Sequence, residues 1–325
     1  MRRGYIREIF LKRPLPEESY LSALPALDTL VFGAETPDTA ALTGTAAALA
    51  SPAFSAALAR RLAGGASFAV ARAAAAEQVC PGAGQVLAGP NNNLGVEYCK
   101  ALAAQNSHIT PLALPRKGAA HGEASPGPEG FASASSLRAL WAAGGAAALE
   151  GYVPEAALAL YKEAQAAGQD LDERAWGVAV LSRLRGMDAA AIARTRGTAE
   201  GLEHLLEKAV RGAACLPELH AAMKSRRYAH ARLRRYALDA ALGYTAALPA
   251  LPPYVHVLAA NERGLALLRG SKKPAGASLA RLARENDECR AAAAAHAAAA
   301  DLAALCRRVP GPMGGCWTQK PLLIR

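Results

Sequence analysis

Short apolar runs of the strand type occur only in the first part of this chain, and helical spacing dominates the rest. The run Leu27-Asp-Thr-Leu-Val-Phe-Gly33 is brief, contains β-branched and aromatic members and ends on glycine, which predicts a buried strand. Residues 39–63 and 66–79 read as two alanine-rich helices with Gly64-Gly65 as punctuation. Gly82 to Pro90 reads as loop, and Leu94, Tyr98 and Leu102 stand at helical spacing within Asn92 to Ala104. His108-Ile-Thr-Pro-Leu-Ala-Leu114 predicts a second strand, which Pro111 and Pro115 push toward an edge or a short length. Lys117 to Gly130 reads as a flexible loop, and Ser133 to Ala143 begins a further helix.

Strands separated by helices imply parallel pairing and an α/β unit. After about residue 145 the pattern is helical almost to the end, broken at Pro154, Gly168 and Gly197, with a mixed stretch over 251–275 and a Pro/Gly-rich tail. The fold class expected is therefore α/β over residues 1–145, followed by a mainly α-helical part over 146–325. No internal repeat is evident.

Composition narrows this picture. Hydrophobic residues make up 52% of the 325 positions and aromatics only 5%. Much of the apolar count is alanine, which forms helices well and fills cores poorly. Six scattered cysteines form no CxxC pair, so no zinc site is readable and reduced thiols are expected. The uncharged run Thr39 to Ala59 is interrupted by Gly44 and Pro52 and reads as helices around a break, not as a membrane span. The start is basic but has no apolar signal core, so a cytoplasmic protein is expected. The net charge of +10 suits a polyanionic partner, and where that charge sits matters more than its sum.

Four stretches carry candidate chemistry. Gly33 ends the first strand, where a backbone without a Cβ lets a ligand approach closely; a tight turn is the plain alternative. Gly89-Pro90-Asn91-Asn92-Asn93 begins a helix, either as a cap or as a site whose free N–H groups and amides meet a nucleotide. Arg116, Lys117 and His121 follow the second strand and suit phosphate, or a solvated basic loop. Ser133, Ser135 and Arg138 start the next helix; beyond capping it, hydroxyls and guanidinium can converge on one anion.

A fifth stretch is different in kind. Lys224-Ser-Arg226-Arg227-Tyr228-Ala-His230-Ala-Arg232-Leu233-Arg234-Arg235-Tyr236 packs six cations into twelve residues with two interleaved tyrosines. Read as one helix, it buries Ala229, Leu233, Tyr236 and Ala237 and groups Lys224, Tyr228, Arg232 and Arg235 on another face. Like charges at this density repel unless phosphates meet them, and tyrosine and arginine planes stack on unpaired bases.

In this order the pieces resemble the bacterial tRNA(Met) cytidine acetate ligases, relatives of the HIGH-type nucleotidyltransferases. The resemblance rests on VFGAE, the PNN-x-LG-x-EY-x-KA stretch, LPRKGAAH, SASSLR, EGLE, KSRRYAHARLRR and PPYVHVL, and covers roughly residues 22–270. It implies a Rossmann-like nucleotidyltransferase domain that is incomplete in this chain, followed by a helical RNA-binding domain. It further implies activation of acetate by ATP to acetyl-adenylate, with Mg2+ accompanying ATP, and acetylation of N4 of the wobble cytidine in elongator tRNA(Met). Carried over by motif, Gly33, Asn91 and Arg116 bind ATP, joined by Ser133, Ser135 and Arg138 at the phosphates. Lys224, Arg227, Tyr228 and Arg232 match the family's RNA-facing helix, and Arg226 and Arg235 of the same basic stretch are expected to join them on RNA. No catalytic residue is identified and no metal ligand is expected.

The chain also departs from the family pattern. An H-x-G-H loop opens such domains, yet the seven histidines, at 108, 121, 204, 220, 230, 256 and 296, never show that spacing. The expectation is thus the back half of an ATP site, with exposed strand edges. Two alternatives stay open: a tRNA-binding protein without adenylation, and another nucleotidyltransferase, which the basic stretch disfavours.

Overall fold

The computed structural model describes residues 26–66, 68–116, 131–199, 201–225 and 228–323. The chain divides into two compact units, one ending at Lys162 and one running from Glu163 to Arg325.

In the first unit, β1 (Thr29–Ala34) leads through α1 (Thr39–Ala50), α2 (Pro52–Ala63), α3 (Phe68–Val79), α4 (Ala83–Val86) and α5 (Pro90–Ala104) to β2 (Thr110–Pro115). The two strands pair in parallel, in a register that sets Thr29 opposite Thr110, Gly33 opposite Leu114 and Ala34 opposite Pro115. Five helical segments separate them where the sequence pattern suggests three. The 39–63 stretch breaks at Ser51, whose hydroxyl accepts from Phe54 N–H while Pro52 occupies the first turn of α2. Proline lacks the N–H and the space to continue α1, but it suits the start of a new helix. Asp38 caps α1 in the same manner, accepting from the backbone of Ala40 and Ala41.

Phe32, Ala34 and Ala113 face a core shared with Leu42, Ala46, Phe54, Ala75, Val86, Val96 and Cys99. Strand alternation sends Val31, Leu112 and Leu114 to the opposite face, where each is about half exposed. Thr39 Oγ1 accepts from Ala113 N–H at 3.1 Å and ties α1 to β2. Gly95 lets α5 lie against the strand: a Cβ there would stand 2.5 Å from the Phe32 ring. Beyond β2, α6 (Ala134–Gly144) passes into a short 3-10 turn at Gly145–Leu149, and α7 (Glu155–Ala166) carries the chain into the second unit.

That unit is helical around α8 (Glu173–Arg185), α9 (Ala189–Ala193), α10 (Leu202–Gly212), α11 (Leu216–Ala222) and α12 (His230–Ala241). Their core includes Leu184, Ile192, Leu202, Leu206, Leu219, Met223 and Leu233, all fully buried. The mixed stretch that follows is not purely helical. β3 (Val255–His256) and β4 (Ala259–Ala260) precede α13 (Glu262–Leu268), β5 (Ala275–Gly276), α14 (Leu279–Leu282), the long α15 (Asp287–Leu305), α16 (Gly315–Thr318) and β6 (Leu322–Leu323). β3 pairs with β5 and β4 with β6, both in parallel. Such pairs join residues distant in sequence, which local periodicity cannot show.

Among the described residues no single helix is long and apolar enough to cross a membrane; α1 and α2 meet at 70°. All six cysteines are unpaired thiols. Burial pushes the thiols of Cys289, Cys306 and Cys316 up.

Candidate functional site

The carboxyl ends of two parallel strands are where open α/β folds bind ligands, and three of the expected residues lie there. Gly33 is the penultimate residue of β1. A Cβ on it would meet Arg116 Cγ at 3.3 Å, so the two residues are side by side. Arg116 follows β2, its backbone N–H donates to Ala34 carbonyl at 3.0 Å, and its side chain is exposed. Asn91 opens α5, and its neighbour on the strand side is Glu35, one residue beyond β1. The Glu35 carboxylate accepts from the backbone N–H of Asn91 and of Asn92, and from the Asn91 side-chain amide.

The asparagine run thus divides its duties. Asn92 is buried; its Oδ1 accepts from Thr36 N–H at 2.9 Å and its Nδ2 donates to Thr36 Oγ1 at 3.0 Å. Asn93 Nδ2 donates to the carbonyls of Leu87 and Gly89, while Arg72 donates to Asn93 Oδ1 at 2.6 Å and to Glu97 at 3.1 Å. Lys100 also reaches Glu97 at 2.8 Å. Asn92 and Asn93 therefore hold structure, and Asn91 alone of the three stands at the exposed junction.

The expectation that the start of α5 offers free N–H groups to an external anion is corrected here. The chain's own Glu35 carboxylate takes that place. Burial pushes Glu35 up, but hydrogen bonds from the Asn91 side chain and from the N–H groups of Asn92 and Asn91 outweigh it and hold the carboxyl below its ordinary value. In the VFGAE run the glycine is the conspicuous residue by sequence, and the glutamate is not. The signal available for it was an acid placed just after a strand end, with no cation near it in sequence.

At α6, Ser133 is the N-cap: its hydroxyl accepts from Ser136 N–H at 3.1 Å and it is almost fully buried. Ser135 and Arg138 are exposed and paired, Arg138 Nη2 donating to Ser135 Oγ at 3.3 Å, as their one-turn spacing requires. Lys117 and His121 lie outside the described residues.

The basic stretch in the second unit is not one helix. α11 ends at Ala222, α12 begins at His230, and Lys224 and Tyr228 lie in the connection between them; Arg226 and Arg227 lie outside the described residues. Met223 is buried at the end of α11, and Ala229 has extended backbone as the N-cap of α12. A run of like charges disfavours a continuous helix. Ala229 is consequently exposed instead of buried, while Leu233, Tyr236 and Ala237 form the buried stripe. Lys224 and Tyr228 do not share a helical face with Arg232 and Arg235. Tyr228 nonetheless packs on the helical core, and the Arg232 guanidinium lies 4.7 Å over its ring. Lys224, Arg232 and Arg234 are exposed, and Arg235 is half-buried. At the head of α12, His230 Nε2 lies 3.1 Å from the His220 carbonyl. Burial, with help from Arg234 and His230, pushes His220 below its ordinary value.

A model of the family described as HIGH Nucleotidyl Transferase matches residues 19–309. The tRNA(Met) cytidine acetate ligase of Caldanaerobacter subterraneus subsp. tengcongensis is 31% identical over 261 residues, 78% of this chain and 64% of that protein. The protein of the same name from Latilactobacillus sakei subsp. sakei is 31% identical over 188 residues, 57% of this chain and 47% of its own length. The chain thus spans between about half and two thirds of the length of these relatives. Among solved structures, apo Thermotoga maritima TmcAL is similar with a TM-score of 0.83 at 21% identity, covering 96% of this chain and 80% of that one. Thermotoga maritima TmcAL bound with alpha-thio ATP gives 0.80 at 20% identity, covering 94% and 78%. These likenesses establish a nucleotidyltransferase-type α/β fold.

Proposed function

The chain belongs to the HIGH nucleotidyl transferase family, and from that premise we propose that it serves the ATP-dependent acetylation of a cytidine in tRNA(Met). In this reading acetate attacks the α-phosphate of ATP, forming acetyl-adenylate and releasing pyrophosphate. The cytidine N4 amine then takes the acetyl group, AMP leaves, and the N4 proton passes to solvent or base. The names of the relatives support the substrate. The observation that carries the reading is the juxtaposition of Gly33 and Arg116 at the carboxyl ends of β1 and β2, with Asn91 at the start of α5 bound to Glu35, one residue beyond β1.

The residues divide the work. Gly33 leaves room for a nucleotide against the backbone. Arg116, together with Ser135 and Arg138 on α6 and Ser133 as the cap that starts it, supplies donors to phosphate oxygens. Charge builds on the α-phosphate as the carboxylate attacks, and pre-placed cations there lower the barrier. Mg2+ would enter with ATP, held largely by phosphates and water, and would neutralise phosphate charge when bound. The helical unit would then hold the tRNA through Lys224, Arg226, Arg227, Tyr228, Arg232 and Arg235. A division into a nucleotide-binding domain over 1–145 and an RNA-binding domain over 146–325 goes with this reading, as does a cytoplasmic setting where tRNA is found.

A second reading rests on the cations Lys224, Arg232 and Arg234 exposed around the start of α12. It is tRNA binding without adenylation. Acetate-dependent exchange of pyrophosphate into ATP separates the two. Exchange together with acetylation of a tRNA(Met) transcript supports the ligase; tRNA binding with no exchange leaves the second reading standing.

A further inference from the structure

Glu35 sits one residue beyond β1 and binds the first turn of α5 with both carboxylate oxygens. Asn91 N–H lies 3.2 Å from Oε1 and 3.1 Å from Oε2, Asn92 N–H lies 2.8 Å from Oε2, and Asn91 Nδ2 donates to Oε1. The contact is built on both sides. Asn92 returns two hydrogen bonds to Thr36, the residue after Glu35. Gly89 leaves the space, since a Cβ there would stand 2.6 Å from Glu35 Oε2.

This geometry decides which way Asn91 points. An ionised carboxylate only accepts hydrogen bonds, so the Asn91 nitrogen must face Glu35 and its Oδ1 must face away. The carboxylate also fills the position at the helix start that a phosphate would otherwise take. Asn91 is therefore an oriented, uncharged acceptor at the strand ends. Triphosphate charge is left to cations such as Arg116, exposed beside Gly33.

We propose that Glu35 is a positioning residue of the nucleotide site, orienting Asn91 so that its Oδ1 accepts a hydrogen bond from the nucleoside of ATP, either from the adenine amine or from a ribose hydroxyl. The assignment rests on the ATP reading above and adds to it the side of the nucleotide that Asn91 reads.

The test is calorimetric ATP binding to the full chain, its Glu35→Gln and Asn91→Ala variants, and the double variant. Each single change is expected to weaken ATP binding by roughly tenfold, the scale of one missing oriented hydrogen bond. If Glu35 acts through Asn91, the double variant binds no more weakly than Asn91→Ala alone. Losses that add overturn the proposal, because a merely structural Glu35 would give that result. A panel of ATP, inosine triphosphate, 2′-deoxy-ATP and 3′-deoxy-ATP distinguishes the amine from the hydroxyls. The wild-type chain prefers ATP over the analogue lacking the donor used, and Asn91→Ala loses that preference; a preference that survives overturns the assignment. The panel stands on Asn91→Ala alone should Glu35→Gln fail to fold. Failure of the wild-type chain to bind ATP overturns the nucleotide reading itself, and faster amide exchange at Asn91 and Asn92 in Glu35→Gln would then show that the carboxylate contact is structural.

Discussion

Arg196 and Asp239 meet through two hydrogen bonds, Nε to Oδ2 at 2.9 Å and Nη2 to Oδ1 at 3.0 Å. Both side chains are largely buried, at 11% and 15% exposure. The guanidinium also lies 4.6 Å over the Tyr244 ring, and Arg196 N–H donates to the Tyr244 carbonyl. Asp239 belongs to α12, so this contact fixes the inner half of the helix whose outer half carries Arg232 and Arg234. Arg196→Ala should cost about 3 kcal/mol, because it strands a buried carboxylate. Arg196→Lys keeps the charge but loses the fork and the flat face, for about 1–2 kcal/mol. Urea unfolding of the three proteins checks this order, and equal midpoints would refute it.

Two glycines in helices should respond oppositely to alanine. Gly95→Ala places a methyl 2.5 Å from a buried Phe32 ring that is itself set edge-on to Tyr98, with centroids 5.5 Å apart. Overpacking of this kind costs about 1–3 kcal/mol. Gly44 lies inside α1, and a methyl there would have no neighbouring atom within 4 Å. Gly44→Ala should therefore gain about 0.5–1 kcal/mol from helix propensity alone. Thermal melts give both signs directly.

Acid and alkali should each weaken the helical unit. Burial, countered by Arg196 and reinforced by Asp239, pushes the Tyr244 hydroxyl up to about 12 from an ordinary 10.0. A raised folded-state value means a stabilisation fully present below 10.0 and lost as pH rises toward about 12. Tyr244→Phe, which removes the hydroxyl that donates to Ala295 carbonyl, should be less sensitive over that window. At the acid side, burial lowers His256 despite its bond to the Ala277 carbonyl. His296, packed edge-on to it at 5.9 Å, is lowered by burial and by His256. Lowered values mean stability that is full above 6.5 and lost as pH falls below it. A melting-temperature series across both windows, with and without Tyr244→Phe and His296→Phe, tests the assignment.

If the helical unit binds tRNA through its basic connection and α12, affinity should fall linearly on a log–log salt plot. Each of Lys224→Ala, Arg232→Ala and Arg234→Ala should reduce the slope by about 0.7–0.9, the amount expected for each phosphate left without its cation. Tyr228→Ala should weaken binding without changing the slope, because it removes a stacking plane and not a charge. Filter binding from low to moderate salt provides the measurement, and unchanged slopes in all three charge variants would place the RNA elsewhere.

Much of the candidate site's geometry follows from local sequence. The Thr29–Ala34 and Thr110–Pro115 strands are short apolar runs ending near glycine or proline, and their parallel pairing follows from the helices between them. Ser133 at the head of α6 and the Ser135–Arg138 pair follow from capping chemistry and one-turn spacing. The buried stripe of Leu233, Tyr236 and Ala237 on α12 follows from helical periodicity. The strand lengths, the cap and the stripe are each determined within a few residues, so the sequence by itself settles them, while the β1–β2 pairing is inferred from the order of the elements.

The tertiary structure alone decided the rest. Asn91, Asn92 and Asn93 are chemically identical in sequence, and they separate only because Glu35, Thr36 and Arg72 arrive from other elements to engage them differently. Met223 is buried at the end of α11 although it stands beside a basic run, and Arg196 finds Asp239 across forty-three positions of chain. Periodicity and capping report the energetics of one segment. A hydrogen bond between segments depends on where the fold brings them, and that is set by packing of the whole core.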